Sequence, residues 1–496
     1  MNRGTRLLGV VALAATIAMV VYFGGREEVA PSSVPRASVT AVVGQEGGSW
    51  YCAARDTGVE GDFRHTVFVT AVGEDAAKVR LDGFNDTENV GDAELTIEPT
   101  TTATVDVAES LGSAALSVMV ESDRPVVVEH RISFAGGAEQ VPCSTFSSDT
   151  WYFPVVVTTA DATARLNLFN PFPGDASVDI EVAWETGVRQ PTSMSGLVVP
   201  AGSTRTIDLH EGLERREQAS FTVRTRSGGV VPELAQVFDG SNKDLPVKGL
   251  RLVPGSRSAG LRWNFPGGFA DPGARERLVV QNPNDVEVDV LAQLVPFGGV
   301  DLAPEPFELS AASLRFASVD LEADSRVPAQ GYHSLDVESE GDKAVIPARS
   351  LNITGEGDGG EVAPLRTLVK GGTTASPGLS VAAKRWAAPG MQLGEGSDGA
   401  VFVYNPGEQS TRVTVSAWTA SGGVEPVVIE VPPGDAGAVG LSALSESDEL
   451  LTVEVTSEEP VSVERLIVFR DTPDLSLQSG VPVLESLDEL VTLGGD

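Results

Sequence analysis

Three tryptophans in this 496-residue chain open the same phrase. Trp151-Tyr152-Phe153-Pro154 leads to Asn170-Pro171, Trp263-Asn264-Phe265-Pro266 to Asn282-Pro283, and Trp386-Ala387-Ala388-Pro389 to Asn405-Pro406, each Trp standing 19 residues before its Asn. An aromatic face can stack on a pyranose ring, so sugar binding is the first chemistry to weigh. The alternative is a core tryptophan that begins a strand, its ring packed between two sheets. Fixed spacing to Asn-Pro favours the core. Trp184 and Trp418 follow their Asn by 14 and 13 residues, alternate with apolar neighbours, and read as structural too. The Asn-Pro pairs could line a ligand site at one end of each unit. Their expected role is a strand-ending turn, Asn hydrogen-bonding its own backbone and Pro fixing φ.

Other reactive groups are sparse. Glu129, Glu233 and Glu464 recur in V-x-[VP]-E-like segments, one per unit. A single carboxylate is not a glycosidase pair, and solvent-facing strand positions are expected for them. Asp86-Thr87-Glu88-Asn89-Val90-Gly91-Asp92 departs from a calcium loop at Val90 and at Ile97. Four scattered histidines, His65, His130, His210 and His333, lack zinc spacing. There is no nucleophile elbow, P-loop or dinucleotide fingerprint. No catalytic, metal-binding or cofactor-binding residues are assigned, and no cofactor is expected. The two cysteines, Cys52 and Cys143, are expected to form one disulfide. Cys52 holds the place of Phe153, Phe265 and Ala388, so the bridge would stand in for a packing contact.

These residues must be positioned by strands. Each Asn-Pro is followed by period-2 alternation, as in Ser177-Val178-Asp179-Ile180-Glu181-Val182 and Thr411-Arg412-Val413-Thr414-Val415. With 53 Gly and 31 Pro as punctuation, the pattern reads as an all-β repeat protein. A fainter first copy begins at Trp50-Tyr51-Cys52-Ala53. The expected fold is all-β: tandem immunoglobulin-like β-sandwich repeats after an N-terminal transmembrane helix. The sandwiches are expected over 49–145, 146–248, 249–370 and 371–496. Linkers rich in Gly, Ser and Pro are expected near 135–150, 239–262 and 354–385. Ser479-Gly480-Val481-Pro482 resembles the linker element with no unit after it. Either it caps the last sandwich, or it returns to an earlier one and makes the array compact.

Arg3 and Arg6 precede an apolar run from Leu7 to Phe23. Seventeen apolar residues span about 26 Å as a helix, near the hydrocarbon thickness. The positive flank places the remainder of the chain outside the cytoplasm. Residues 1–25 are therefore expected to be an uncleaved signal anchor, and 26–48 a flexible stalk. The expected localisation is single-pass in the cell membrane, with the bulk of the chain extracytoplasmic. A net charge of −35 excludes a nucleic-acid binder.

At Trp50-Tyr51-Cys52-Ala53, the W-x-x-P copies and the closing V-x-V-E strands, the chain resembles a family of exported actinobacterial proteins known as a domain of unknown function. The resemblance covers about residues 49–485. It implies an anchor or signal, an envelope location and β-rich repeats, and it brings no catalytic residues. The expected function is a non-enzymatic extracytoplasmic scaffold or protein-interaction module of the cell envelope. Its partner would be an envelope protein or cell-wall polymer, with membrane contact through the N-terminal helix. The alternatives are a carbohydrate-binding or polysaccharide-processing accessory protein, and a calcium-dependent adhesin.

Overall fold

Strand after strand in this chain carries two buried faces, and the fold explains why. The computed structural model describes residues 38–494 apart from 59–62, 212, 272, 298–303, 329, 355–370, 393–396, 446–448 and 470–471. The Leu7–Phe23 run lies outside the described residues. Among the described residues no helix is long and apolar enough to cross a membrane. Strands dominate, and they group into four pairs of sheets.

In the first sandwich one sheet carries the Trp strand, in the order Ser49–Cys52, Ser117–Ser122, Ala77–Phe84, Asn89–Ile97. The other runs Thr102–Asp106, Arg64–Ala71, Val126–Phe134, Gly137–Pro142. The second sandwich repeats this with Thr150–Val156 as its Trp strand and Lys248–Pro254 as the last strand of the opposite sheet. The third does so with Arg262–Ala270 and Gly372–Pro377, the fourth with Val381–Gln392 and Leu475–Ser479. In the fourth, the 19-residue strand Leu450–Val468 serves both sheets. Each sandwich encloses an apolar core drawn from both of its sheets.

The stretches expected as linkers therefore carry strands. Lys248–Pro254 pairs with Val231–Asp239, and Gly372–Pro377 with Ile346–Ile353, so each belongs to the unit before it. A strand buried on both faces shows no alternation, and Gly372–Pro377 is also rich in Gly, Ser and Thr, so neither stands out from the turn residues around it. Gly137–Pro142, Lys248–Pro254, Gly372–Pro377 and Leu475–Ser479 pack side by side in a closed circuit, the last against the first. We call them the axial strands. Four sandwiches thus form one ring, and residues 36–496 are one compact unit.

The circuit is sealed where the first sandwich meets the fourth. Val43 N–H donates to Pro482 O at 3.0 Å, and Leu484 N–H to Val43 O at 2.8 Å, within a parallel bridge. Ser38 and Ser380 bond to each other. The tail thus does both things open to it: Pro482 pairs with Trp386 of its own sandwich while Val483 meets the beginning of the ring. The stalk expected over 26–48 gives way at Ser38–Val43 to a buried segment. Val39, Ala41 and Val43 insert into two cores, an alternation legible in Val39-Thr40-Ala41-Val42-Val43.

The repeated phrase is structural. Trp50, Trp151, Trp263 and Trp386 are all buried, so no sugar can stack on them. The indole N–H of Trp151, Trp263 and Trp386 donates to the carbonyl three residues earlier, Ser148, Gly260 and Ala383, at 3.0 Å each. Pro154, Pro266 and Pro389 follow at a register shift in the Trp strand, where a missing N–H costs no ladder bond. Asn170, Asn282 and Asn405 are buried and make one motif. Each accepts from the N–H two residues on (Phe172, Asn284, Gly407) and donates to the carbonyl four residues on (Gly174, Val286, Gln409). Each also donates across to Val199, Ala311 or Val431. Pro171, Pro283 and Pro406 then fix the turn.

Cys52 and Cys143 are bonded. Cys143 stands where the other units have Gly255, Gly378 and Gly480. A Cβ on Gly255 or Gly378 would come within 2.9 Å of Phe153 or Phe265. The disulfide thus replaces a Phe-over-Gly contact. Removing it with the double substitution Cys52→Ala and Cys143→Ala frees a loop closed over a separation of 91 residues. The loss expected is about 4–5 kcal/mol in the chain-entropy picture, read as a lower denaturant midpoint. An unchanged midpoint would show that the strand contacts suffice alone.

Candidate functional site

The ionisable groups most displaced from their ordinary behaviour lie along the ring axis and in the seams between sandwiches. On the axis, equivalent positions of the four axial strands hold Gly137, Gly249, Gly372 and Asp474. A Cβ on Gly249 would lie 2.8 Å from the Asp474 carboxylate, and one on Gly372, at φ +123°, only 2.5 Å from it. One carboxylate fills the space three glycines leave. Its oxygens accept the N–H of Ala138 at 2.9 Å, Leu250 at 2.9 Å, Thr373 at 2.8 Å and Leu475 at 3.0 Å, one from each axial strand.

Burial pushes the Asp474 carboxyl up to about 8, against the four N–H donors that favour its charge. Two residues along the first axial strand from Gly137, burial drives Glu139 well above the usual carboxylate range. The Asp474 charge adds to this, and the Ser476 and Thr374 hydroxyls and Arg465 oppose it. Arg251, fully buried, is brought down to about 10 by burial, with Glu139 and Asp474 countering. Its guanidinium donates to Thr373 Oγ1 at 2.7 Å and Asn352 Oδ1 at 2.6 Å.

The seams answer what the repeated glutamates do. Expected in solvent, Glu129, Glu233 and Glu464 are buried. Their strands lie in sheets covered on one face by their own core and on the other by the preceding sandwich. Glu233 accepts the N–H of Ala53 and Ala54 at 3.2 Å each and faces His130 Nε2 at 3.1 Å, all in the first sandwich. Glu464 accepts from Gly267 N–H at 2.8 Å and from Arg349 at 2.9 and 3.0 Å, in the third. Glu129 accepts from Arg465 of the fourth at 2.6 Å. Every one reaches backwards around the ring. At the remaining seam the position is Ala348, packed into the core of the second sandwich.

Two histidines extend these ties. His65 Nε2 lies 3.0 Å from His130 Nδ1, in line with Glu233. Burial, with His130 adding, lowers His65 to about 3. A His–His–Glu chain has the form of a proton relay, but no member of this one reaches an opening. His333 Nε2 lies 3.0 Å from Glu276 Oε2. Burial works against the Glu276 charge, yet His333 and Arg349 hold it below the usual carboxylate range. Burial raises Glu464, opposed by Arg349. The Asp86–Asp92 segment is a turn in which Asn85 Oδ1 accepts from Thr87 and Glu88 N–H. Among the described residues no three His, Cys, Asp or Glu side chains converge as metal ligands.

Trp184 and Trp418, 14 and 13 residues after their Asn, occupy different places in their strands. Ala183 faces Ser220 and Trp418 faces Thr452, equivalent partners, so Trp418 matches Ala183. A one-residue shift turns a side chain to the other face of a strand. Trp184 lies in the core of the second sandwich. Trp418 is half-buried and lines the groove at the seam between the fourth and first. The 14- and 13-residue intervals held this signal.

Glu464→Ala leaves Arg349 buried without its bidentate partner, and a loss of about 3–5 kcal/mol is expected in unfolding measurements. Asp474 and Glu139 bind protons more tightly folded than unfolded. The stability they contribute is full below their unfolded pKa and is lost as pH rises through the folded value, about 8 for Asp474. Compared over pH 5–8, wild type should therefore lose stability more steeply than Asp474→Asn, by at most one proton's worth, about 1.4 kcal/mol per pH unit. Equal slopes would mean that the carboxylate stays charged throughout.

No curated protein matches this chain. A crystal structure of Thermotoga maritima 1070 aligns at 18% identity over 20% of this chain and 94% of that one, with a TM-score of 0.18. Glycoside hydrolase family 32 from Bifidobacterium adolescentis aligns at 11% identity over 88% and 96%, with a TM-score of 0.15. A tetra-tandem repeat in the extending region of a large adhesion protein aligns at 10% identity over 89% and 100%, with a TM-score of 0.11. At such scores these likenesses carry no argument. Residues 135–376, from just before the first axial strand to the third, match a family of unknown function, DUF5719.

Proposed function

We propose that the chain is a non-enzymatic extracytoplasmic scaffold or protein-interaction module of the cell envelope. Its immunoglobulin-like sandwiches would be held to the membrane by a helix over Leu7–Phe23. The observation that carries the reading is where the perturbed ionisable groups lie. Catalytic groups with displaced pKa values gather in clefts. Here Asp474 and Arg251 are sealed inside as ties between sandwiches, and Glu139 and His65 are buried with them. Their chemistry is spent on holding four units in one arrangement, which is what a scaffold requires. The Cys52–Cys143 bridge supports an oxidising compartment. The charge of −35 suits a soluble body that repels nucleic acid and anionic lipid surfaces.

The test is in-cell crosslinking of the tagged full-length chain, with identification of whatever is attached. A reproducible envelope-assembly protein is expected. Recovery of no protein or polymer partner across several conditions would count against the reading.

A further inference from the structure

The four seams are equivalent by strand register, and they are filled to different degrees. In the first-to-second seam, Phe84 and Tyr51 of the first sandwich meet Phe169 and Phe172 of the second. Phe169 lies 5.1 Å from Phe84 and 6.4 Å from Tyr51, and Phe172 lies 5.8 Å from Tyr51, centroid to centroid. Phe169 pairs with Val231 and Thr204; Thr70 pairs with the corresponding Val127 and Thr102. Thr70 thus replaces Phe169 in the fourth-to-first seam, and Gly73 replaces Phe172. Ala387, after Trp386, replaces Tyr51, which comes after Trp50. Trp418 replaces Phe84, since each faces the seam residue Thr452 or Ser117. Where the first-to-second seam has four aromatic rings, this one has a single larger ring with none of the other three beside it.

The space they leave is a groove of about 870 Å³ lined by these residues, within the range of ligand sites. The other seams are filled at the Phe169-equivalent position. Gln281 donates to Thr222 at 3.0 Å in the second-to-third, and Tyr404 to Asp336 at 3.2 Å in the third-to-fourth. The groove walls combine apolar side chains, among them Val72, Pro125 and Leu484, with paired charges. Arg385 and Glu454 pair at 2.6 Å, Arg124 and Asp75 at 3.5 Å, and Glu74 and Glu485 add negative charge. Arg385 is held further by Val72 O at 3.1 Å.

We propose that this groove binds a neutral oligosaccharide, with Trp418 as the plate under one sugar ring. The acidic excess repels phosphate and acidic peptides. Planar guanidinium and carboxylate groups fixed in pairs present both donors and acceptors, which is what vicinal hydroxyls need. The indole offers an apolar face to a pyranose C–H surface, with no rival ring to cover it. The site stands whether or not the ring is a scaffold, because it rests on the seam residues alone.

The test titrates the full-length chain with neutral oligomers of glucose, mannose and N-acetylglucosamine, reading tryptophan fluorescence and calorimetry. Binding of at least one series is expected. Trp418→Ala removes the plate. Gly73→Phe refills the groove as Phe172 does elsewhere, at a position where a Cβ meets nothing closer than 3.6 Å. Each should weaken binding about tenfold or more, with the melting temperature showing that the ring is intact. No binding by the folded chain, or binding untouched by both substitutions, overturns the proposal. So does a lysine-rich peptide that binds in place of the sugars and is lost in both variants, since the groove would then take a cationic partner.

Discussion

Four strands that converge on a line cannot all carry side chains there, and the N–H groups they point inward cannot go without acceptors. Asp474 meets both constraints. Three glycines clear the space, and one carboxylate fills it and takes an N–H from every sandwich. An unmet buried N–H costs about 1–3 kcal/mol, so a neutral residue too short to reach all four would leave several such deficits. The residue that closes the axis comes from the last axial strand. The arrangement is complete only when all four sandwiches are present.

Outward from the axis, the sheets bearing these strands are covered on both sides, and that decides where charge can be placed. A carboxylate facing the neighbour must find donors in it. Glu233, Glu464 and Glu129 find backbone N–H groups, guanidinium or imidazole in the sandwich before them. Ala348 declines the arrangement and packs on apolar side chains instead. The ring is fourfold in its backbone and unequal in its chemistry. The departures from the repeat are informative because the repeat supplies the comparison.

The fold was legible where spacing and substitution repeat. The Trp-to-Asn interval marked a structural frame, and Cys52 in the place of Phe153 and Phe265 pointed to the packing contact that the disulfide replaces. The hidden features had a common cause. Alternation implies a strand with one wet face, so it places Glu129, Glu233 and Glu464 in solvent, whereas in the ring that face is covered by another sandwich. Axial strands such as Gly372-Thr373-Thr374-Ala375-Ser376 have no wet face and no bulky residues, and they passed for linkers. Asp474 had no local signal: its meaning depends on three glycines more than 100 residues away. The offset of Trp418 from Trp184 was visible as a number, but which face it implied required the register.

The splice between Ser38–Val43 and Val481–Leu484 gives the ring a property that a row of domains lacks. With the two segments adjacent, the order in which sandwiches succeed one another is a feature of the covalent chain and not of the packed object. Join the splice, cut any of the three inter-sandwich crossings, and the same neighbours remain in contact. The molecule is, in this respect, circularly permutable. Each seam is then equivalent to the others as a place to open the ring, although no two of them hold the same side chains.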